Sequence, residues 1–346
     1  MNPLELQLDY PFNDTLPESG NVIKINDGIY WLRMGLPFAL NHINLWLLED
    51  GPGWTIIDCG IANDHTRANW EAIFATVLNN KPILRVIATH CHPDHIGLAD
   101  WLCQRWNAPL WMSAGEYAFG RLMQAALPGA DGTSAIPHFQ RHGITDPAII
   151  TQLLERKDYF PTLVPSMPSA FIRMQEHQLI TIGANTWRVM TGFGHSPEHV
   201  SLVCEEKNIL ISGDMLLPRI STNVSVWAIE PEANPVRQFL DSIEKYCALD
   251  EATLVLPSHG KPFRGIHVRV EQLNDHHTAR LAEILAIAST PQSAADILPI
   301  MFPRALDTHQ LTFALGEALA HLHLLWFEGK LTRQVGDDGI MRFVLC

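Results

Sequence analysis

The chain has 346 residues, 47% hydrophobic and only 18% charged, with 10 Trp. That is material for a large buried core, in one big domain plus a small one or in two domains. Its net charge of -13 repels phosphate backbones and disfavours nucleic acid as a partner. No run of about 18 apolar residues offers a membrane span.

The start, MNPLELQLDYPFNDTLPESG, lacks the basic-then-apolar order of a secretory signal. The six cysteines form no CxxC pair and read as reduced thiols, so a cytoplasmic protein is expected. NVIKINDGIYWLRM has an Asp-Gly turn between two apolar runs and predicts a hairpin. NHINLWLLEDGPGWTIIDCG repeats the pattern around Gly and Pro. DHTRANWEAIFATVLN spaces Trp70, Ile73, Phe74 and Val77 as a helix face. PILRVIAT predicts a short buried strand, HIGLADWLCQRW a helix and APLWMS another strand. This order means mixed α/β, not an all-parallel sheet.

Residues 113 to 173 break the rhythm. GEYAFGRLMQAAL and DPAIITQLLERKDYF predict helices, with the loop PGADGTSAIPHFQRHG between them and the proline-rich PTLVPSMPSAF after them. The segment is too long for an ordinary connection and reads as a helical insertion. Strands resume in HQLITIGANTWRVMTGFG, VSLVCEEKNILISGD and ATLVLPSHG, and the helix VRVEQLNDHHTARLAEILAIA closes a domain of residues 1–285. Residues 286–346 predict two helices and a hairpin around Gly-Asp-Asp-Gly, in the order of a winged-helix module. From residue 289 onward, four basic residues (Arg304, Lys330, Arg333, Arg342) face six acidic ones (Asp296, Asp307, Glu317, Glu328, Asp337, Asp338). That is no nucleic-acid footprint; packing or a homodimer contact is the better use.

The stretch ATHCHPDHIG crowds His90, His92, Asp94 and His95 behind an apolar strand. The same layout recurs at TGFGHSPEH with His195, at ILISGDMLL with Asp214 and at TLVLPSHGKP with His259. Each time an apolar strand ends, a small-residue turn follows, and His or Asp sits there. A lone histidine is usually a core residue. This repetition instead points to groups gathered at one edge of a sheet. Imidazole and carboxylate suit a borderline divalent ion such as zinc. His90, His92 and His195 would hold one ion, Asp94, His95 and His259 a second, and Asp214 could bridge them. A hydroxide between ions about 3.5–4 Å apart is acidified towards neutrality, which makes a nucleophile for an ester, thioester, amide or phosphoester.

HCHPDH with downstream GHS, SGD and PSHG resembles the metallo-β-lactamase superfamily over roughly residues 20 to 285, with all seven ligand positions matching in type and order. The resemblance implies an αββα sandwich with a dinuclear site at the sheet edge. IIDCG then places Asp58 beneath the site. His199 is expected to be buried or to support a ligand, Cys91 to be a bystander and Glu198 to face solvent. His276 and His277 are expected at the surface, and His321 and His323 in the packing of the tail. The insertion and tail resemble a hydrolase branch with a C-terminal appendage.

Within that superfamily, the missing export signal argues against an antibiotic-degrading enzyme, and the acidic surface against an endoribonuclease-like one. Lactonases share all seven ligands, and glyoxalase II relatives match the core motif. The expectation is a dinuclear zinc hydrolase of a lactone, thioester or simple ester, with Asp94 and Asp214 catalytic and a small-molecule substrate. Iron or manganese could replace zinc, and iron-dependent oxidoreduction on the same ligands is the alternative. Phe119, Met123, Leu127, Phe139, Phe160 and Leu163 would either cap the site or only pack the insertion onto the main domain.

Overall fold

Asp27 and Gly28 turn the chain between β1 (Ile23–Asn26) and β2 (Ile29–Gly35), with Gly28 in the left-handed region at φ 76°. The computed structural model describes residues 3–155 and 158–346. β3 (His42–Asp50) and β4 (Gly53–Ile57) continue the antiparallel order. After helix α1 (Asp64–Thr76), β5 (Ile83–Ile87), β6 (Leu110–Met112) and β7 (Ile172–Arg173) add in parallel, giving seven strands in chain order. The short helices α2 (Pro93–Ile96) and α3 (Ala99–Trp106) join β5 to β6.

The second sheet is ordered β12-β11-β10-β9-β8. It is built from β8 (Leu179–Ile182), β9 (Asn185–Gly192), β10 (His199–Cys204), β11 (Ile209–Gly213) and β12 (Leu254–Pro257).

Strand alternation explains the layering. On β3, Ile43, Leu45 and Leu47 pack outward with Trp70 and Leu102 of α1 and α3, while Trp46 and Leu48 pack inward with Trp187, Leu202 and Ile211 of the second sheet. Both faces are apolar because both are covered. The result is the αββα sandwich expected from the sequence.

Residues 113–173, expected as a helical insertion, form a helical connection between two strands of the first sheet. They run from the end of β6 to β7, its parallel neighbour, and parallel neighbours require a crossover. Four helices fill it: α4 (Ala114–Gln124), α5 (Ala135–Arg141), α6 (Pro147–Leu154) and α7 (Tyr159–Leu163). α5 lies inside the expected loop, where Ile136 and Phe139, three apart, are buried. The part of the expected helix at 156–157 lies outside the described residues. α8 (Pro235–Glu244) has no counterpart in the strand-and-turn reading, although Pro235 opens its first turn and Val236, Phe239 and Ile243 form a buried stripe.

The tail follows the expected helix, helix, hairpin order. After α9 (Ile266–Ile287) come α10 (Ala294–Met301), α11 (Thr308–Phe327), β13 (Leu331–Val335) and β14 (Met341–Leu345), with Gln292 bridged to Phe343. Its apolar face is no separate core. Leu315, Leu319, Leu322 and Phe343 join Leu210 and Val255 of the second sheet and Phe239 of α8 in one cluster. That packing overturns the surface placement of His277. Its ring is fully buried, and its Nδ1 lies 3.0 Å from His321 Nε2, while His276 is half-buried. His321 and His323 are buried in the tail, as expected.

Candidate metal centre

Five strand ends meet at one edge of the sandwich. Asp58 follows β4; His90, His92, Asp94 and His95 follow β5. His195 follows β9, Asp214 follows β11 and His259 follows β12. All seven expected ligand positions come together. The ligand atoms of His90, His92, His195 and Asp214 lie within 4.8 Å of one another, as do those of Asp94, His95 and His259. Asp214 faces both groups. Its Oδ2 is 3.5 Å from His195 Nε2, and its Oδ1 is 3.6 Å from His95 Nε2 and 3.5 Å from His259 Nε2. Asp94 Oδ2 lies 3.4 Å from His259 Nε2 and 3.7 Å from His95 Nε2.

The chain fixes which nitrogen each ring presents. His259 donates its Nδ1–H to the His42 carbonyl at 2.7 Å, and His195 donates its own to the Asn223 carbonyl at 2.8 Å. His95 Nδ1 is 2.8 Å from Asp58 Oδ2. Asp58, at φ 61°, is itself held by the Thr89 N–H at 2.7 Å. Such partners orient a ligand and raise its basicity.

The ring-nitrogen lone pairs then converge. His90 Nε2 is 2.8 Å from His92 Nδ1 and 3.2 Å from His195 Nε2. His95 Nε2 and Asp214 Oδ1 are buried with no hydrogen-bond partner among the described residues. Converging lone pairs beside orphaned buried atoms fit a divalent cation in each group, and the donors are of the right chemistry.

Electrostatics splits the cluster in two. Burial and the neighbouring His95 and His92 push His90 well below its usual range, and burial with His195 brings His92 down to about 3. Burial also opposes charge on His95 and His259, but carboxylates outweigh it. Asp58, Asp94 and Asp214 raise His95 to about 9, and Asp214 with Asp94 raises His259 to about 10. Burial likewise opposes charge on the two aspartates. The facing His95 and His259 nonetheless hold Asp94 at about 2, and His259 and His95 hold Asp214 well below the carboxylate range. A cation entering the carboxylate-rich half therefore displaces protons.

His199 is buried and does not join either group. Its Nε2 accepts the Asp214 N–H at 3.1 Å, which positions the aspartate. Gly213, at φ 55°, lies so close that a Cβ there would overlap the His199 ring. Cys91 is buried, and burial pushes its thiol well up, away from thiolate.

Glu198 differs from expectation. It is half-buried, and its Oε2 accepts the Gly115 N–H at 2.8 Å. Glu116 escapes the sequence reading altogether. Fully buried on α4, it accepts from Cys91 N–H at 2.9 Å, Ser196 Oγ at 2.6 Å and Glu198 N–H at 2.7 Å. One carboxylate thus ties the His90–His92 loop to the His195 loop. Ser113, whose Oγ accepts the Glu116 N–H, is the only sequence sign, as the N-cap of α4.

The tail reaches the centre too. Glu317 of α11 accepts from Asn223 Nδ2 at 3.0 Å, Val226 donates its N–H to the Gly316 carbonyl at 3.1 Å, and Asn223 carries the carbonyl that orients His195.

A cavity of about 230 Å³ opens on His92. Phe119, Met123, Phe139 and Phe160 of the crossover line it, with Trp227 and Phe313 opposite. Leu127 is exposed and Leu163 packs into the outer core, so neither lines it.

A buried His/Asp cluster at the edge of an αββα sandwich defines a metal-binding class of protein. Residues 40–259 match the family described as the metallo-beta-lactamase superfamily, and residues 281–346 match the metallo-beta-lactamase-like C-terminal domain. The chain belongs to the metallo-beta-lactamase superfamily and is a metallo-hydrolase. It is similar to a beta-lactamase domain protein from Burkholderia ambifaria, 54% identical with TM-score 0.95 over 100% of both chains. It also resembles the probable metallo-hydrolase YqjP of Bacillus subtilis (strain 168), 26% identical over 87% of this chain and 93% of that protein. The acyl-coenzyme A thioesterase MBLAC2 of Gallus gallus is 28% identical over 56% of this chain and 64% of that protein.

Proposed function

We propose a dinuclear zinc-dependent hydrolase of a carbonyl ester (lactone, thioester or simple ester) that takes substrates with an apolar acyl group. The observation that carries this reading is the aromatic-lined cavity opening on His92 at the edge of the seven-residue cluster.

His90, His92 and His195 would hold one ion, and Asp94, His95 and His259 the other. Asp214 would serve both through its two oxygens. Divalent ions bound there supply Lewis acidity toward a carbonyl and acidify a water. Asp58, His42 and Asn223 keep the imidazoles in the required tautomers. The cavity wall takes the apolar arm and excludes water around it. The printed name of the Gallus gallus relative supports a thioester among the candidates. Net charge -13 supports a small-molecule substrate over nucleic acid.

The test is a panel of lactones, thioesters and simple esters, run beside metal analysis of protein purified without added metal. Zinc with ester turnover is expected. Iron with oxygen consumption, or metal without turnover of any ester, would contradict the reading. Shrinking the wall by Phe119→Ala or Phe160→Ala should change KM or the ranking of substrates by about 10- to 200-fold, with metal content intact. If the side chains only pack, the same variants lower Tm and leave relative rates across the panel unchanged.

A further inference from the structure

A second cavity, about 710 Å³, reaches the cluster from the His259 side and shares no lining residue with the first. Three cations line it, Arg33, Arg219 and Lys261, together with the carboxylates of Glu5 and Asp14. Two have acidic partners, since Lys261 Nζ is 2.7 Å from Asp14 Oδ1 and Arg219 Nε is 3.7 Å from Glu5 Oε2. The Arg33 guanidinium has no hydrogen bond and no carboxylate partner among the described residues; burial lowers its pKa.

Its position makes this unusual. Period two along β2 puts Arg33 on the side of Ile29 and Trp31, which pack between the two sheets. Arg33 is half-buried there, so its guanidinium is partly desolvated yet open to the cavity, where an anion can pair with it.

We infer that Arg33 binds an anionic arm of the substrate, a carboxylate or a phosphate, on the far side of the scissile bond from the apolar arm. The substrate class is then an ester or thioester with an apolar acyl group and an anion-bearing alcohol or thiol. This rests on the hydrolase reading above. It adds the chemistry of the leaving group, which the first cavity does not address.

Thioesters of one apolar acyl group with mercaptoethanol, mercaptoacetate or mercaptoethyl phosphate separate a neutral, a carboxylate and a phosphate arm. The metal-loaded protein should show a higher kcat/KM for one anionic thioester than for the neutral one, and rising salt should erode that advantage. The ratio should fall about 10- to 100-fold in Arg33→Gln, as for a lost charge-assisted hydrogen bond, and recover in part in Arg33→Lys. Binding of the free anionic thiols, measured calorimetrically, should weaken by a similar factor in Arg33→Gln. If no thioester, lactone or simple ester turns over but anion binding still depends on Arg33, the subsite stands and the carbonyl-ester reading falls. If thioesters turn over with no anionic preference, no salt effect and no Arg33 dependence, the Arg33 inference is overturned and the hydrolase reading stands.

Discussion

Asp214→Ala is expected to lower kcat/KM by about 10³-fold or more, a loss of several kcal/mol of transition-state stabilisation. The reason is geometric. Asp214 Oδ2 faces His195, and Oδ1 faces His95 and His259. Removing the side chain takes a donor from both groups, so metal retention should weaken at both positions. His259→Ala takes a donor from the carboxylate-rich group alone and should cost less activity. Metal analysis and kinetics on the two variants decide the matter; equal, small effects would contradict a shared role for Asp214.

Glu116→Ala should produce the largest loss of stability away from the metal donors, about 3 kcal/mol or more. The substitution strands the buried Cys91 N–H, Glu198 N–H and Ser196 Oγ together, and each bond to a charged acceptor is worth about 1.5–3 kcal/mol. The loops that carry His90, His92 and His195 then lose their common anchor. Metal affinity should fall as well, by the 10- to 100-fold typical of supporting partners. Denaturant unfolding and metal titration of the variant check both parts. An unchanged Tm with unchanged metal affinity would show that the carboxylate is dispensable.

The seven donor positions are legible in the sequence because each obeys the same local rule. An apolar strand ends, a small residue turns the chain, and a donor follows. Strand ends that share one sheet edge have nowhere else to put those donors, and the structure places them together. Glu116 follows no such rule. It sits on a helix after β6, and its importance arises only because that helix packs beside two loops 25 and 80 residues away.

His277 is misjudged for a related reason. Asn274, Asp275, His276 and Thr278 around it look like a solvated face. The stripe that counts is Leu273, His277 and Ile284, which α9 turns toward the tail. Leu127 shows the converse. It is apolar, yet it lies just beyond the end of α4 and is exposed, because hydrophobicity alone does not place a side chain in a wall. The tail reads correctly as helix, helix and hairpin. Its contribution of Glu317 to the support of Asn223 depends on a contact across 94 residues and leaves no local pattern.

On the proposed reading the cluster holds two ions, with Asp214 serving both. The direct test is a crystal structure of the fully metallated protein with metal stoichiometry measured on the same sample. Two ions per chain are expected, one bound by His90, His92 and His195, the other by Asp94, His95 and His259, with Asp214 reaching each. A maximum of one ion, with Asp94 and His259 free of metal at saturation, would contradict it.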